Sequence, residues 1–476
     1  MRKALSAALP ALGTLLLCLA SPALASGGAP HLSGADLSIW WIIPFVCMLL
    51  SIAIAPLTIP VFWENHFGKV SVFWGMAFLI PCLVVFGYQT ALFEFLEIIL
   101  ADYLPFIILL FALFTVAGGV RLKGTLVGTP AVNTGLFAVG TLLASWMGTT
   151  GAAMLLIRPL LRANAHRKYR VHSVVFFIFL VANIGGSLSP LGDPPLFLGF
   201  LKGVSFFWTA IHLYHTTLLA SAILLGLFFV LDSILYAREG RPVPPESAGS
   251  DEKLGIEGGV NLLLLLGIVA AVLLSGMFKL GEFINIYNVS IEGQNLLRDL
   301  ALLCIAGISL KLTSHECRER NGFTWGPIAE VAKLFFGIFL SMIPALAILR
   351  AGEHGALAPV IQMVSHDGQP VNAMYFWLTG ALSSFLDNAP TYLVFFNTAG
   401  GDPAHLMGEW STTLAAISAG AVFMGANTYI GNAPNFMVRS IAEESGVSMP
   451  SFFGYMLWSG CILVPLFVLL TWIYFI

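Results

Sequence analysis

Charged residues are scarce in this chain. Of its 476 residues, 10% are charged and 58% are hydrophobic, whereas about a quarter of the residues in a typical soluble domain are charged. A soluble protein with this much apolar surface would aggregate, so the composition excludes that class. The net charge of −3 also excludes a protein that binds nucleic acid through an overall positive charge.

Several catalytic and redox motifs are also missing. The sequence has no glycine-rich phosphate-binding loop, which argues against a nucleotide-driven pump, and no HExxH motif that would suggest an intramembrane enzyme. The six cysteines show no CxxC spacing, so we interpret them as packing residues and not as disulfides or metal ligands. The sequence therefore predicts a protein that is not an enzyme and that has no cofactor.

Long apolar runs are the main feature that is present. Continuous runs such as 262–275 and 461–476 are typical of membrane-spanning helices, because the strands of a membrane β-barrel would alternate apolar and polar residues. Two further apolar stretches, 131–157 and 373–400, have Gly, Pro, Thr or Asn near their centres and are predicted to be re-entrant hairpins. The predicted fold class is an all-α polytopic membrane protein. The ten predicted spans lie near 38–60, 72–90, 104–120, 172–200, 206–237, 260–278, 296–311, 326–349, 411–440 and 452–476.

The first 25 residues have the pattern of a signal peptide. Arg2 and Lys3 precede a short apolar run, 8–20, and Ala23 and Ala25 fit the small-residue rule for cleavage. The alternative is an uncleaved first anchor. If the peptide is removed, the mature chain begins outside the cytoplasm, and we expect a multi-pass protein of the inner (plasma) membrane.

The basic residues agree with this orientation. Threading the ten spans from the outside places 15 of the 22 Lys and Arg residues on the cytoplasmic side and 4 on the opposite side, and cytoplasmic loops are expected to carry the excess. The hairpin 131–157 must then enter from the cytoplasm and the hairpin 373–400 from the outside. The resulting organisation is a signal peptide (1–25), a first helix with its flanks (26–71), a first repeat (72–237), a flexible cytoplasmic linker (238–258), a connecting helix (259–295) and a second repeat (296–476).

Two broken motifs recur at one spacing. The segment Ser145-Trp-Met-Gly-Thr-Thr-Gly-Ala precedes Ser384-Phe-Leu-Asp-Asn-Ala-Pro-Thr by 239 residues, and Gly192-Asp-Pro-Pro precedes Gly431-Asn-Ala-Pro by the same number. Each half also runs span, span, hairpin, span, span, from opposite sides of the membrane. Such an inverted-topology repeat, with a broken helix at the matching place in each half, indicates a transport site near the bilayer midplane.

Two aspartates lie in these motifs, Asp193 and Asp387. Both are flanked by apolar stretches without a basic neighbour, and an aspartate at the bilayer centre costs roughly 2.5–3.5 kcal/mol on insertion scales. Burial favours the neutral carboxyl group and a bound cation favours the ionised one, so one carboxylate could hold either a proton or a cation. Glu94, Glu97 and Asp102 are interpreted as solvated residues near the outer edge.

The alternative for both aspartates is a capping role. A carboxylate at the start of a half-helix can accept a hydrogen bond from a free backbone N–H. This interpretation is stronger for Asp193, which directly precedes Pro194 and Pro195. A cap and an ion ligand are not mutually exclusive.

Proline and glycine predict where the helices break, because proline lacks an N–H and clashes with the preceding turn. The predicted breaks involve Gly148, Pro190, Gly192, Pro194, Pro195, Pro390, Gly431 and Pro434. Hydroxyl and amide side chains cluster around them, and their oxygens could bind a hard cation, although they could equally form hydrogen bonds between helices. These candidate ion or substrate ligands are Ser145, Thr149, Thr150, Ser187, Ser189, Ser384, Asn388, Asn427, Thr428, Asn432 and Asn435.

Four stretches of the chain resemble a known family. Residues 145–159, 183–200, 335–359 and 383–400 are similar to a bacterial branch of the ion-transporter superfamily, whose members are called citrate transporters or sodium:proton antiporters. The superfamily also includes divalent anion/sodium symporters and arsenite carriers. The resemblance implies a re-entrant hairpin and an unwound helix in each half. It also implies a homodimer with a scaffold domain and a transport domain that moves as an elevator.

The hairpin tips bear on the substrate. Dicarboxylate members of the superfamily carry Ser-Asn-Thr at both tips, whereas this chain has Gly148-Thr149-Thr150 and Asp387-Asn388-Ala389. Antiporter members tend to place aspartate in these broken regions, so the resemblance favours sodium (or lithium)/proton antiport, with Asp193 and Asp387 binding the transported Na⁺. The alternatives are a sodium- or proton-coupled symporter of citrate or a related dicarboxylate, and a channel or membrane assembly protein. The expected partners are small cations, protons and membrane lipid, and no nucleic acid.

Overall fold

The structure is a computed structural model that describes residues 30–124, 126–242, 255–366 and 368–476. The predicted signal peptide and residues 243–254 of the predicted linker lie outside the described residues. The chain is predominantly helical, which confirms the predicted all-α class. The helices are α1 (Ile43–Thr58), α2 (Pro60–Glu97), α3 (Leu104–Ala117), α4 (Pro130–Met147), α5 (Thr149–Ala163), α6 (Val171–Leu180), α7 (Pro194–Leu201), α8 (Trp208–Arg238), α9 (Val260–Met277), α10 (Gly293–Leu312), α11 (His315–Arg320), α12 (Gly326–Arg350), α13 (Ala358–Val364), α14 (Asn372–Phe385), α15 (Asn388–Thr398), α16 (Pro403–Met407), α17 (Ser411–Met424), α18 (Ala433–Glu444) and α19 (Phe452–Tyr474).

Seven segments of the described residues are long and apolar enough to cross a membrane. They cover eight of the ten predicted spans, because one of them contains both 72–90 and 104–120. The predicted spans 296–311 and 411–440 fall outside these segments. The seven segments are Ile39–Pro56, Pro60–Ala117, Val171–Leu188, Trp208–Arg238, Val260–Met277, Gly326–Arg350 and Phe452–Tyr474.

The predicted boundary of the second span is wrong. Helix α2 begins at Pro60, not near residue 72, so the segment predicted as 26–71 includes the start of this helix. Proline is well accommodated in a first helical turn, where its missing N–H has no intrahelical partner to lose. Gly87 interrupts α2 with φ +85 and ψ 169, a conformation that glycine adopts without strain. A π-helical turn, Ile98–Tyr103, then joins α2 to α3.

The predicted spans 172–200 and 411–440 are broken helices, which confirms the breaks predicted from their glycine and proline residues. In 172–200, α6 ends at Leu180 and α7 begins at Pro194, with a 3₁₀ turn at Ile184–Leu188 between them. In 411–440, α17 ends at Met424 and α18 begins at Ala433. Each second half-helix has proline in its first turn, so its start needs no hydrogen bond from that residue.

Three short antiparallel strand pairs were not predicted. Strand β1 (Arg121–Lys123) pairs with β2 (Gly255–Glu257) and joins the end of the linker region to the first repeat. The Arg121 guanidinium donates to Glu257 at 2.8 Å and holds the pKa of that carboxyl group below its usual value. The other two pairs are local hairpins. They are β3 (Glu282–Ile286) with β4 (Val289–Glu292), and β5 (Ser365–His366) with β6 (Gln369–Pro370).

Small residues allow the long helices to approach closely. Helix α2 packs against α12 where a Cβ on Gly337 would lie 2.4 Å from the carbonyl oxygen of Ser71. Helix α14 packs against α17 where a Cβ on Gly420 would lie 2.6 Å from the carbonyl oxygen of Phe376. Close backbone packing of this kind is typical of membrane helices, which gain little from the hydrophobic effect. The second contact fixes the hairpin α14–α15 beside the broken helix α17–α18.

Candidate functional site

The two predicted hairpins have their turns at the expected motifs. In the first hairpin, α4 ends at Met147, Gly148 turns the chain with φ +81, and α5 begins at Thr149. In the second hairpin, α14 ends at Phe385 and α15 begins at Asn388. Both turns bring the N-terminus of a short helix to a hairpin tip.

Equivalent hydrogen bonds fasten each hairpin to the broken helix of its own half. Ser145 Oγ donates to the carbonyl oxygen of Gly185 at 2.5 Å, and Ser384 Oγ donates to that of Met424 at 3.0 Å. Both the donors and the acceptors are 239 residues apart. The offset found in the sequence therefore also relates contacts in the fold.

A second equivalent pair runs in the opposite direction, from the break to the hairpin. Ser189 Oγ donates to the carbonyl oxygen of Ser145, and Thr428 Oγ1 donates to that of Ser384 at 2.5 Å. These four hydroxyl groups are therefore occupied by backbone groups. These contacts fit the alternative interpretation, in which the four side chains form hydrogen bonds between helices.

The Asp193 carboxylate is the buried centre of the site, with 1% of the residue exposed. Its Oδ1 accepts hydrogen bonds from Thr149 Oγ1 at 2.9 Å and from Asn432 Nδ2 at 3.0 Å. Its Oδ2 accepts a hydrogen bond from Asn388 Nδ2 at 2.5 Å. Thr149 belongs to the first hairpin, Asn388 to the second hairpin and Asn432 to the second break, so the carboxylate joins both halves of the chain.

The capping roles of the two aspartates differ from the sequence-based expectation. Asp193 occupies the N-cap position of α7, but its side chain makes no capping hydrogen bond. Asp387 is the aspartate that caps, because its Oδ1 accepts a hydrogen bond from the backbone N–H of Ala389 at 3.0 Å. Asp387 is half-buried and adjacent in the chain to Asn388, whose amide nitrogen donates to Asp193.

Helix N-termini supply the positive potential at Asp193. Helices α5, α7, α15 and α18 begin at Thr149, Pro194, Asn388 and Ala433. Each of these positions is, or directly follows, either Asp193 itself or a residue that donates to its carboxylate. The partial positive charge of a helix N-terminus stabilises an anion. Among the described residues, no Lys or Arg forms an ion pair with Asp193.

Two amide oxygens at the site have no hydrogen-bond partner among the described residues. Asn388 Oδ1 and Asn427 Oδ1 are both buried. Asn388 points its amide nitrogen at Asp193, and Asn427 points its amide nitrogen at Ser384 Oγ at 2.9 Å. A buried amide oxygen without a partner is costly, and it is an acceptor that a cation could use.

Asn183 is a member of this cluster that was not predicted. Its Nδ2 donates to Asn435 Oδ1 at 2.7 Å, and its Oδ1 accepts a hydrogen bond from Asn432 Nδ2 at 3.3 Å. The contact ties the first break directly to the second. Asn183 begins the motif that contains Asp193, so its position in that motif was the available signal.

Of the predicted ligands, only Thr149, Asn388 and Asn432 hydrogen-bond the Asp193 carboxylate. Ser187 Oγ shares a hydrogen bond of 2.6 Å with Thr217 Oγ1 on α8. Thr150 is half-buried, and its side chain forms no hydrogen bond with the described residues. Neither residue contacts Asp193 through a hydrogen bond.

Alanine at Gly192 is expected to disrupt the break. A Cβ there would lie 2.1 Å from the carbonyl oxygen of Gly186, so the backbone must shift. We expect Gly192→Ala to lower the free energy of unfolding by at least about 1–3 kcal/mol, the usual cost of overpacking. The measurement is the apparent melting temperature in detergent. Gly226→Ala is the matched control because nothing lies within 4 Å of its Cβ position; equal melting temperatures for the two variants would contradict the close contact.

A polytopic helical protein with two hairpins, two broken helices and a carboxylate shared between its halves has the features of a secondary transporter. Comparison with protein-family models gives a match over residues 34–475 to a family described as "Putative citrate transport". The chain belongs to this family and is a membrane transport protein. No curated protein matches the chain.

Proposed function

We propose that the protein is a sodium (or lithium)/proton antiporter in which Asp193 holds either a proton or the transported cation. The observation that carries the proposal is a buried carboxylate contacted by both halves of the chain, with no Lys or Arg paired to it among the described residues. A carboxylate without a basic partner can exchange a bound proton for a cation. A carboxylate in an ion pair with arginine would be held ionised and could not make this exchange.

The hydrogen bonds allow both forms of Asp193. The ionised carboxylate accepts from three donors. When Asp193 is protonated on Oδ2, this O–H becomes a donor. The carboxamide of Asn388 can turn over so that its Oδ1, which has no partner, accepts the hydrogen bond. Asn388 would therefore change its orientation with each cycle.

Oxygen atoms suited to a hard cation adjoin the same position. Carboxylate, amide and hydroxyl oxygens are the preferred ligands of hard cations. Asp193 supplies carboxylate oxygens and Thr149 a hydroxyl oxygen, and the unpartnered amide oxygen of Asn388 could join them. Asp387, next to Asn388 in the chain, adds a second carboxylate, which favours a cation over an anion.

Citrate symport is the second candidate. It is favoured by the family description and by the four helix N-termini, which could bind a carboxylate. Against it, an anionic substrate would meet two aspartates. Citrate would therefore require cations to bind with it.

The proposed orientation follows from the basic residues. With 15 Lys and Arg residues on one side and 4 on the other, the excess indicates the cytoplasmic side. The first hairpin then opens to the cytoplasm and the second to the outside, in the inner membrane. Family resemblance adds a homodimer to the proposal.

Reconstituted vesicles test the function. Vesicles with an acidic interior and a trapped pH dye receive Na⁺, Li⁺, K⁺ or citrate outside. Antiport predicts alkalinisation of the interior by Na⁺ or Li⁺ without citrate. If the dye remains silent while labelled citrate accumulates on a Na⁺ gradient, the protein is a symporter; passage of Na⁺ without proton coupling would indicate a channel.

Asp387→Asn separates ion binding from capping. Asparagine is as good an N-cap as aspartate, so the hydrogen bond from Ala389 can be kept while the charge is lost. We expect Na⁺-driven alkalinisation to fall at least about tenfold, the effect of about 1.4 kcal/mol on an equilibrium constant. Asp402→Asn is the matched control, because Asp402 caps α16 through Ala404 with the same geometry. Full activity in Asp387→Asn would show that Asp387 only caps α15 and does not bind the transported ion.

A further inference from the structure

His31, near the start of the described chain, lies beside two glutamates of α2, Glu94 and Glu97. His31 Nδ1 lies 3.6 Å from Glu97 Oε2 and 3.9 Å from Glu94 Oε1. The two glutamates are three residues apart on α2, so they lie on one helix face. One ligand atom from each of the three residues can be chosen so that all lie within 4.8 Å of one another.

The surrounding contacts hold His31 in this position. The backbone N–H of Leu32 donates to Glu94 Oε1 at 2.8 Å. The imidazole packs edge-on against Phe93, with ring centroids 4.6 Å apart. Gly34 is packed so tightly on α12 that a Cβ would lie 1.9 Å from the carbonyl oxygen of Ala347. The N-terminal segment is therefore fixed between α2 and α12.

Glu94 was interpreted from sequence as a solvated residue, and this is wrong. It is 8% exposed. A buried carboxylate beside a second carboxylate is electrostatically unfavourable unless a positive charge compensates it. The burial of Glu94 beside Glu97 is therefore a further sign that a cation belongs here.

The nearby basic side chains are engaged elsewhere. Lys202 pairs with Asp102 at 2.6 Å, and Arg350 Nε donates to Asn397 Oδ1 at 2.8 Å. Neither forms an ion pair with Glu94 or Glu97. Both line, together with the three-residue cluster, a cavity of about 550 Å³, which gives an ion a path to the cluster.

We propose that His31, Glu94 and Glu97 bind a divalent transition-metal ion of the Zn²⁺ type, at a site separate from the transport site. Zinc binds His nitrogen and carboxylate oxygen at about 2.0–2.2 Å, so the ligand atoms of a tetrahedral site lie about 3.4 Å apart. The two distances from His31 Nδ1 are 3.9 Å and 3.6 Å, and the three ligand atoms lie within 4.8 Å of one another, so the carboxylates must move inward to reach this value. Three protein ligands leave the fourth position open to the cavity. The metal fastens the N-terminal segment to α2.

Zinc binding to the purified full-length protein tests the proposal. The protein carries a C-terminal affinity tag without histidine, is stripped with a chelator, and competes with a chromophoric chelator for Zn²⁺. We expect one zinc ion per chain, with affinity reduced at least about tenfold in His31→Ala and in Glu97→Gln. His354→Ala is the matched control, because His354 is an exposed histidine on the same cavity, and its affinity should equal that of the wild type.

Thermal stability gives a second readout. Zinc that binds the folded chain should raise the apparent melting temperature of the wild type and of His354→Ala, and leave that of His31→Ala unchanged. All variants should melt at the same temperature without metal. Zinc binding that is the same in His31→Ala and the wild type, or no saturable binding in the wild type, would overturn the proposal. Neither outcome bears on Asp193.

Discussion

Replacing Asp193 with asparagine is expected to reduce Na⁺-driven proton movement to the level of protein-free vesicles. The substitution keeps the size of the side chain but removes the carboxylate that we propose exchanges a proton for a cation. The carbonyl oxygen of the new amide can still accept from Thr149 and Asn432, which now donate to Asp193 Oδ1. The fold should therefore persist while transport is lost.

The measurement for this variant is the vesicle dye assay, beside the apparent melting temperature in detergent. A melting temperature close to that of the wild type shows that the loss of transport is not a loss of fold. Asp402→Asn, an exposed capping aspartate on α16, should transport normally. Antiport that survives in Asp193→Asn would remove Asp193 from the mechanism.

Replacing Arg167 with methionine has the largest expected effect on stability. Arg167 Nη1 lies 2.6 Å from Asp232 Oδ1, and both side chains are fully buried. Asp232 is also hydrogen-bonded to Asn133 on α4 and to His172 on α6, so the pair fixes the base of the first hairpin. Breaking a buried ion pair from one side removes the permanent positive charge beside Asp232, and we expect a loss of about 3–5 kcal/mol.

The double variant Arg167→Met/Asp232→Leu separates charge from packing. Removing both partners of a buried pair is often nearly neutral, but Asp232 also contacts Asn133 and His172, and Arg167 Nη2 lies 3.6 Å from Glu239. The double variant should therefore regain only part of the apparent melting temperature lost in Arg167→Met. Arg320→Met is the surface control: its partner Glu316 lies 2.5 Å away, but both side chains are more than half exposed, and such pairs contribute about 0–1 kcal/mol. If Arg167→Met melts like Arg320→Met, the buried pair does not stabilise the hairpin.

Hydropathy predicted most of the fold because long apolar helices have a strong local signal. Apolar composition alone is continuous across 172–200 and 411–440, and glycine and proline predicted the breaks there. The β1–β2 pair was beyond prediction, since Arg121 and Glu257 are 136 residues apart and nothing local indicates that they meet. Local sequence patterns thus predict individual helices, whereas contacts between residues that are distant in the sequence become visible only in the structure.

The spacing of 239 residues predicted more of the site than any single motif did. Asp193 and Asn432 are 239 residues apart and touch, and Thr149 and Asn388 are also 239 apart and donate to the same carboxylate. The sequence could not say which aspartate would be central, because both precede half-helices. Burial decides it: Asp193 is enclosed by both halves, whereas Asp387 uses its carboxylate to cap α15.

Proton release on sodium binding tests the central claim most directly. Purified protein in unbuffered detergent solution receives NaCl, choline chloride or choline citrate while the pH is recorded at several starting values. A cation that displaces the proton from Asp193 should release up to about one proton per chain, with Na⁺ and not with choline or citrate, and none in Asp193→Asn. Sodium binding without proton release, or the same release in Asp193→Asn, would contradict exchange at this carboxylate.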